Sequence, residues 1–349
     1  MAHEQVVVIT GASSGIGRDV ARRFAKRHAR LVLVARRREA LEQTVAECRQ
    51  AGAPDAIAVP ADISDETQLQ AVVDEALARF GRIDVWINDA GVDAYGPLDR
   101  MQTQEIRRLF EINTIGTALG TRAALRAMKL VGRGTIVNVS SLLGEVPQPY
   151  AAVYSASKAA IRALSAAVRS ELALEKQHRI HVSTVMPATI DTPIFRQAAN
   201  HSGRKLRALP PVYPVSTAGK AIMRAAKRHP AEVSAGAAAA MLKPMHRAFP
   251  RMTEAELAML TAGTQFKPGA ARGTSGNLVE PFEDADASVS GGWGGGIRHR
   301  MRQLFLLALV GVPIWWLVRR MRQGAFPQTR EALTKAMADA RKRTGKAKR

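Results

Sequence analysis

Val6, Val7, Val8 and Ile9 run directly into Thr10-Gly11-Ala12-Ser13-Ser14-Gly15-Ile16-Gly17. The short β-branched run reads as a strand and the glycine-rich stretch as a tight turn. The amphipathic segment from Ile16 to about His28 reads as a helix that the turn opens. Gly11, Gly15 and Gly17 let the main chain approach a pyrophosphate closely, and the helix N-terminus adds N–H groups and positive dipole. A plain strand-to-helix connection can use the same turn, so the residues further along the chain must decide between the two.

Outward from this stretch the pattern repeats. Strand-like runs at Leu31–Val34, Ala56–Val59, Val85–Asn88, Thr135–Val139 and His181–Met186 alternate with helical periods at Arg38–Gln50, Asp65–Phe80, Thr103–Leu130 and Tyr154–Glu175. Four-to-five-residue apolar runs between longer 3.6-period segments predict an α/β fold, a doubly wound parallel sheet with helices on both faces. Residues 1–240 form the expected catalytic domain. Within it Pro193–Pro214 has no clear period and reads as a mobile loop, Ser216–Arg228 as a helix and Glu232–Ala235 as a last strand. Residues 241–296 read as a helical extension, one or two helices within Ala237–Ala262, followed by a flexible Gly-rich linker over Lys267–Gly296.

Composition sets outer limits. The 349 residues are 46% hydrophobic with a single cysteine, Cys48, which excludes a disordered chain and a disulfide-stapled one. The polar start, Met1–Gln5, followed by an apolar run too short for a signal peptide, sets a cytoplasmic expectation. The net charge of +21 is uneven: residues 297–349 hold 14 Lys/Arg and 2 acids. Within that basic tail lies the apolar segment 304–318, containing Trp315 and Trp316 and flanked by arginines on both sides. Fifteen helical residues span about 22 Å, short of a ~30 Å hydrocarbon core. Carrying the basic end across would also oppose the positive-inside preference. The expectation is a membrane-associating segment on an anionic surface, against a buried C-terminal helix or dimer contact. Nucleic-acid binding by the tail lacks interleaved aromatics or a recognised motif. The eight histidines have no metal-ligand spacing, so no metal is expected.

Tyr154 and Lys158 stand four apart on one helical face, after Ser140-Ser141 at a strand end and Asn113 in the helix before it. With Thr10–Gly17, Asn88-Asp89-Ala90-Gly91, Tyr154-Ser155-Ala156-Ser157-Lys158 and Pro187…Thr192, these residues give the chain its resemblance to the short-chain dehydrogenase/reductase family over roughly residues 5–240. The resemblance implies Tyr154 as acid/base, Lys158 as its cationic partner and ribose ligand, Ser141 as the carbonyl-orienting hydroxyl and Asn113 as holder of a relay water. It also implies cofactor contacts from Gly11, Ser13, Ser14, Gly15, Ile16, Gly17, Asp62, Ile63, Asn88, Gly91, Pro187 and Thr192. A tyrosine must be lowered from its usual pKa near 10 to exchange protons at neutrality, which a nearby ammonium and a cationic nicotinamide ring could do. Ser140 reads as a strand-end hydroxyl bonded to main chain.

Ala35 followed by Arg36, where an NAD site would carry a carboxylate, points to the 2′-phosphate of NADP(H). Two departures stand out: Asp89 where the family usually has Asn, and Ala188 where it usually has Gly. By resemblance Val92, Tyr95, Leu142, Leu143, Pro147, Tyr150, Ile194 and Phe195 surround a pocket for a hydrophobic alcohol or ketone. The expected function is NADP(H)-dependent alcohol–carbonyl interconversion by a homo-oligomer. The alternative is a catalytically silent nucleotide-sensing scaffold at the membrane.

Overall fold

The structure is a computed structural model and describes residues 4–281 and 287–294. Seven parallel strands form the central sheet: β1 (Val6–Thr10), β2 (Arg30–Ala35), β3 (Ala56–Pro60), β4 (Val85–Asn88), β5 (Gly134–Val139), β6 (Ile180–Pro187) and β7 (Glu232–Ala235). Their order is β7-β6-β5-β4-β1-β2-β3. The strands read as continuous apolar runs because both faces are covered. Val7, Ile9, Leu31 and Leu33 face Val20, Phe24, Leu41 and Ile222, from α1 (Gly15–Ala25), α2 (Arg38–Gln50) and a late helix, Val215–Arg228. Val8, Val32 and Val34 belong to the opposite core, with Leu69 and Val72 of α3 (Glu66–Phe80) and Met128 and Val168 from later helices. Burying such a side chain contributes about 1.5–3 kcal/mol. Ordering its backbone costs about 1–2 kcal/mol, so a strand with only one covered face would gain little.

The strand order reverses between β1 and β4, opening a crevice at their carboxyl ends, where ligands of doubly wound sheets bind. Gly11 (φ +72) sits there. An added Cβ would come within 2.8 Å of the Ala90 main chain, so this turn requires glycine.

Three expectations change. The single helix expected over Thr103–Leu130 is two, α4 (Thr103–Phe110) and α5 (Thr117–Val131), joined by a π-helical turn at Glu111–Gly116. The Pro193–Pro214 stretch is built from a helical turn, Ile194–Gln197, and short strands that pair elsewhere: Ala199–Asn200 with Ala94–Tyr95, and Arg204–Leu206 with Phe266–Ala270. The flexible linker expected from Lys267 is bound to the sheet domain through residue 281 and again at 287–294. Its main-chain hydrogen bonds include Asn277 N–H to the Gln197 carbonyl (2.9 Å) and Gly291 N–H to the Asp191 carbonyl (3.2 Å). At Gly276 and Gly291 glycine permits close approach, a Cβ at either coming within 2.5 Å of main chain. The extension before it is two helices, Ala237–Ala248 and Pro250–Thr264. The basic tail and its apolar segment 304–318 lie outside the described residues. Among the described residues no helix is long and apolar enough to cross a membrane.

Candidate active site

The π-helical turn is the local device that places Asn113. A wider turn shifts the side chains after it, and here it buries Asn113 completely. Its carboxamide accepts from the Val92 amide (2.9 Å) and donates to the Val92 carbonyl (3.0 Å) and Ser157 Oγ (3.1 Å). Thr117 Oγ1 donates to the Asn113 carbonyl at 2.7 Å. Asn113 therefore clamps the chain just beyond Gly91. A Cβ on Gly91 would stand 3.2 Å from Asn113 Oδ1 and 3.3 Å from Lys158 Nζ, so these groups converge.

Helix α6 (Ala152–Leu174) carries Tyr154 and Lys158 one turn apart, both buried. Lys158 Nζ donates to the Val139 carbonyl (3.2 Å) and lies 5.6 Å from the centre of the Tyr154 ring. The end of β5 brings Ser141 against them. The Tyr154 hydroxyl is hydrogen-bonded to Ser141, whose Oγ also accepts from the Leu143 amide at 3.1 Å. Ser140 turns away and donates to the Lys158 carbonyl at 2.7 Å, which ties β5 to α6.

Burial dominates the electrostatics that the chain itself supplies. It pushes the Tyr154 hydroxyl above its usual range, Asp93 adding to the effect and the Ser141 hydrogen bond opposing it. The lowering that acid/base work requires is thus not built into the protein alone. Burial also lowers Lys158 to about 8, although Asp89 and Asp93 support its charge. Both carboxyls are raised by burial to about 7, with Lys158 pulling the other way. Of these four titratable groups, Lys158, Asp89 and Asp93 have charge states that lie close together, while Tyr154 stands apart above its usual range.

A cavity of about 290 Å³ joins this cluster to a groove over the glycine-rich turn. Its wall contains Gly11, Ser13, Ser14, Gly15, Ile16, Arg36, Asp62, Ile63, Gly91, Pro187 and Thr192, with Ser141, Tyr154 and Lys158. Three expected residues are off the wall. Gly17 packs on the Gly11 carbonyl with no room for a Cβ. Asn88 is committed behind the groove, its carboxamide taking the Trp86 indole N–H (2.7 Å) and donating to Asn138 Oδ1 (2.8 Å). Asn113 acts from behind Gly91, through the Val92 main chain. Asp62 is held below the usual carboxylate range despite burial, because Ser64 and Arg108 bond to it. Arg36, lowered by burial with Asp62 opposing, donates to the carbonyls of Asn277 (2.9 Å) and Val279 (3.3 Å). The groove's hydroxyls, helix N-terminus and arginine suit a phosphate-bearing dinucleotide.

On the other side of Tyr154 the cavity wall is apolar. Val92, Tyr95, Leu142, Leu143, Ile194 and Phe195 line it as expected. Pro147 and Tyr150 do not: Tyr150 is rotated away, edge-on to Phe266 at 5.3 Å. Leu209, Leu242, Leu257 and Leu260 take that place and were missed. The available signal was the apolar spacing of two late helices with no sheet left to cover. Asp93, also on the wall, went unnoticed beside the better-marked Asn88–Gly91.

Comparison with known proteins agrees with this geometry. A family model described as short chain dehydrogenase matches residues 5–203. An uncharacterized oxidoreductase of Bacillus subtilis (strain 168), YxnA, is 34% identical over 257 residues, covering 72% of this chain and 70% of its own. The 11-beta-hydroxysteroid dehydrogenase A of Sesamum indicum is 34% identical over 234 residues, 64% of this chain and 66% of its own. Among solved structures, a short chain dehydrogenase/reductase from Burkholderia phymatum in complex with NAD aligns with a TM-score of 0.65 at 27% identity, over 72% of this chain and 95% of that one.

Proposed function

The chain belongs to the short-chain dehydrogenase/reductase family, and on that premise we propose that it is an NADP(H)-dependent oxidoreductase interconverting a hydrophobic alcohol with its ketone or aldehyde. The observation that carries the reading is the position of the Tyr154 hydroxyl, bonded to Ser141 at the junction of the polar groove and the leucine-lined chamber. The hydroxysteroid dehydrogenase named above supports an apolar alcohol as substrate. Arg36 supports the phosphorylated cofactor, whereas the Burkholderia phymatum structure holds NAD, so the preference rests on this chain's own arginine.

When bound, the nicotinamide supplies or takes the hydride. In reduction Tyr154 gives its proton to the carbonyl oxygen, and in oxidation it takes the hydroxyl proton back. Ser141 orients that oxygen. Lys158, 5.6 Å from the Tyr154 ring, favours the phenolate left behind, and its bond to the Val139 carbonyl holds it in place. General acid/base groups of this kind contribute about 10²–10⁴-fold. Tyr154→Phe is expected to reduce NADPH-dependent turnover of hydrophobic ketones by at least that factor while nucleotide affinity stays within about twofold. Near-normal turnover in the variant would overturn the assignment. A protein that binds the nucleotide and turns over no ketone or alcohol in a broad screen would favour the sensing scaffold.

A further inference from the structure

Residues 277–281 and 287–294 lie along the groove in a fixed order. At one end the carbonyls of Asn277 and Val279 accept from the Arg36 guanidinium, and the Leu278 carbonyl accepts from Arg108 Nε at 3.1 Å. At the glycine-rich turn the Ser288 carbonyl accepts from the Gly15 amide (3.0 Å), and the Ala287 carbonyl from Arg18 Nη1 (2.5 Å). At the other end the Trp293 indole N–H donates to the Thr192 carbonyl (3.0 Å), while its amide and the Ser290 hydroxyl both donate to Asp191 at 2.7 Å. These sites follow the order in which an extended dinucleotide would present its adenosine, pyrophosphate and nicotinamide.

Each described piece is anchored by packing as well as by polar bonds. Leu278 is fully buried in the same core as Leu69 and Met128. Trp293 stands edge-on to Phe195 at 6.0 Å with the Arg196 guanidinium over its ring. Gly291 meets the Thr192 carbonyl so closely that a Cβ has no place. The groove stays open beneath: Asn277 and Pro281 form part of the cavity wall together with Gly11, Arg36 and Tyr154. Residues 287–294 are not on that wall; they brace it from outside through Gly15, Asp191 and Thr192.

We propose that residues 277–281, with Asn277 and Pro281 on the cavity wall, and residues 287–294, which brace that wall at Gly15 and Thr192, together form the outer cover of the dinucleotide site, so that bound nucleotide is enclosed and leaves only when these contacts open. This rests on the dinucleotide reading above but not on which nucleotide is preferred. It assigns Leu278, Gly291 and Trp293 to cofactor retention, a role the sequence pattern of a Gly-rich linker hides.

The test uses the full chain. Trp293→Ala removes one neutral hydrogen bond, an aromatic contact and the Arg196 stacking, and should accelerate NADPH dissociation, followed by stopped-flow fluorescence with excess NADP⁺ as trap, about tenfold. Gly291→Val should accelerate it further. In the unmutated protein, hydrogen exchange at the Asn277, Gly291 and Trp293 amides should slow when NADP⁺ is added. Exchange that quickens at these amides would mean that the nucleotide expels the segment, and would overturn the proposal. So would release rates in Trp293→Ala equal to those of the unmutated protein. A protein that binds neither NADPH nor NADH would overturn the dinucleotide reading itself, whereas binding with unaltered release defeats only the outer cover.

Discussion

Asp89→Asn restores the residue usual in the family and removes one of two carboxyls beside Lys158, the half-buried one on the cavity wall. Asp89 is pushed from the ordinary 3.8 to about 7, burial being the largest cause and Lys158 and the Gly17 amide opposing it. A carboxyl raised on folding binds its proton more tightly in the native state. The stability it contributes is fully present below pH 4 and is lost as pH rises from about 4 to about 7. At 1.36 kcal/mol for each pH unit between the two values, that loss is at most about 4 kcal/mol. Asparagine has no proton to lose and its amide oxygen can still accept from Gly17. Lys158, however, loses a supporting charge, so the net gain is about 2–4 kcal/mol. Urea titrations of both proteins from pH 4.5 to 8 should therefore show Asp89→Asn gaining on the unmutated chain as pH rises, with the curves closest at the acid end. In thermal melts the same difference corresponds to a widening of several degrees. A stability difference independent of pH, or one that shrinks towards pH 8, would refute the argument that the charge of Asp89 is what burial opposes.

Two further outcomes can be measured. Arg36→Ala should cost NADPH affinity about ten- to a hundredfold while NADH affinity changes far less, because a charge-assisted contact is worth about 1.5–3 kcal/mol; equal losses for both nucleotides would remove Arg36 from cofactor selection. The chain's residues 297–349, with their 14 Lys/Arg, should carry the protein onto anionic lipid vesicles at low salt, each basic residue near the surface adding about 1 kcal/mol. Full-length protein that remains in the supernatant with such vesicles would end the membrane expectation.

What could be read from the sequence was whatever repeats at a fixed short period. Val7 and Ile9 against Val8 show why: when both sheet faces are buried, successive strand positions can all be apolar, and such a run marks a central parallel strand without any knowledge of its partners. Tyr154 and Lys158 were legible because one helical turn brings them together. The π-helical turn at Glu111–Gly116 was not, since a one-residue widening leaves the apolar period almost unchanged and is held by distant groups such as the Ser157 carbonyl, which takes the Thr114 hydroxyl at 3.3 Å. The Gly-rich run before the tail failed for another reason. Glycine marks both chain freedom and close approach, and only the position of the Thr192 carbonyl tells which applies at Gly291. Leu257 and Leu260 were legible as helix positions, but the surface they face includes Leu142 and Val146, more than a hundred positions earlier.

The bond between Trp293 and Thr192 joins positions 101 apart, and those from Arg36 to Asn277 and Val279 span more than 240. At about 5–20 residues per second of synthesis, Thr192 is added to the chain roughly 5–20 s before Trp293. Sheet docking and helix formation are far faster than that interval. A nascent chain therefore has the glycine-rich turn and Thr192 in place, open to the surrounding solution, for some seconds before translation delivers the segment that lies over them.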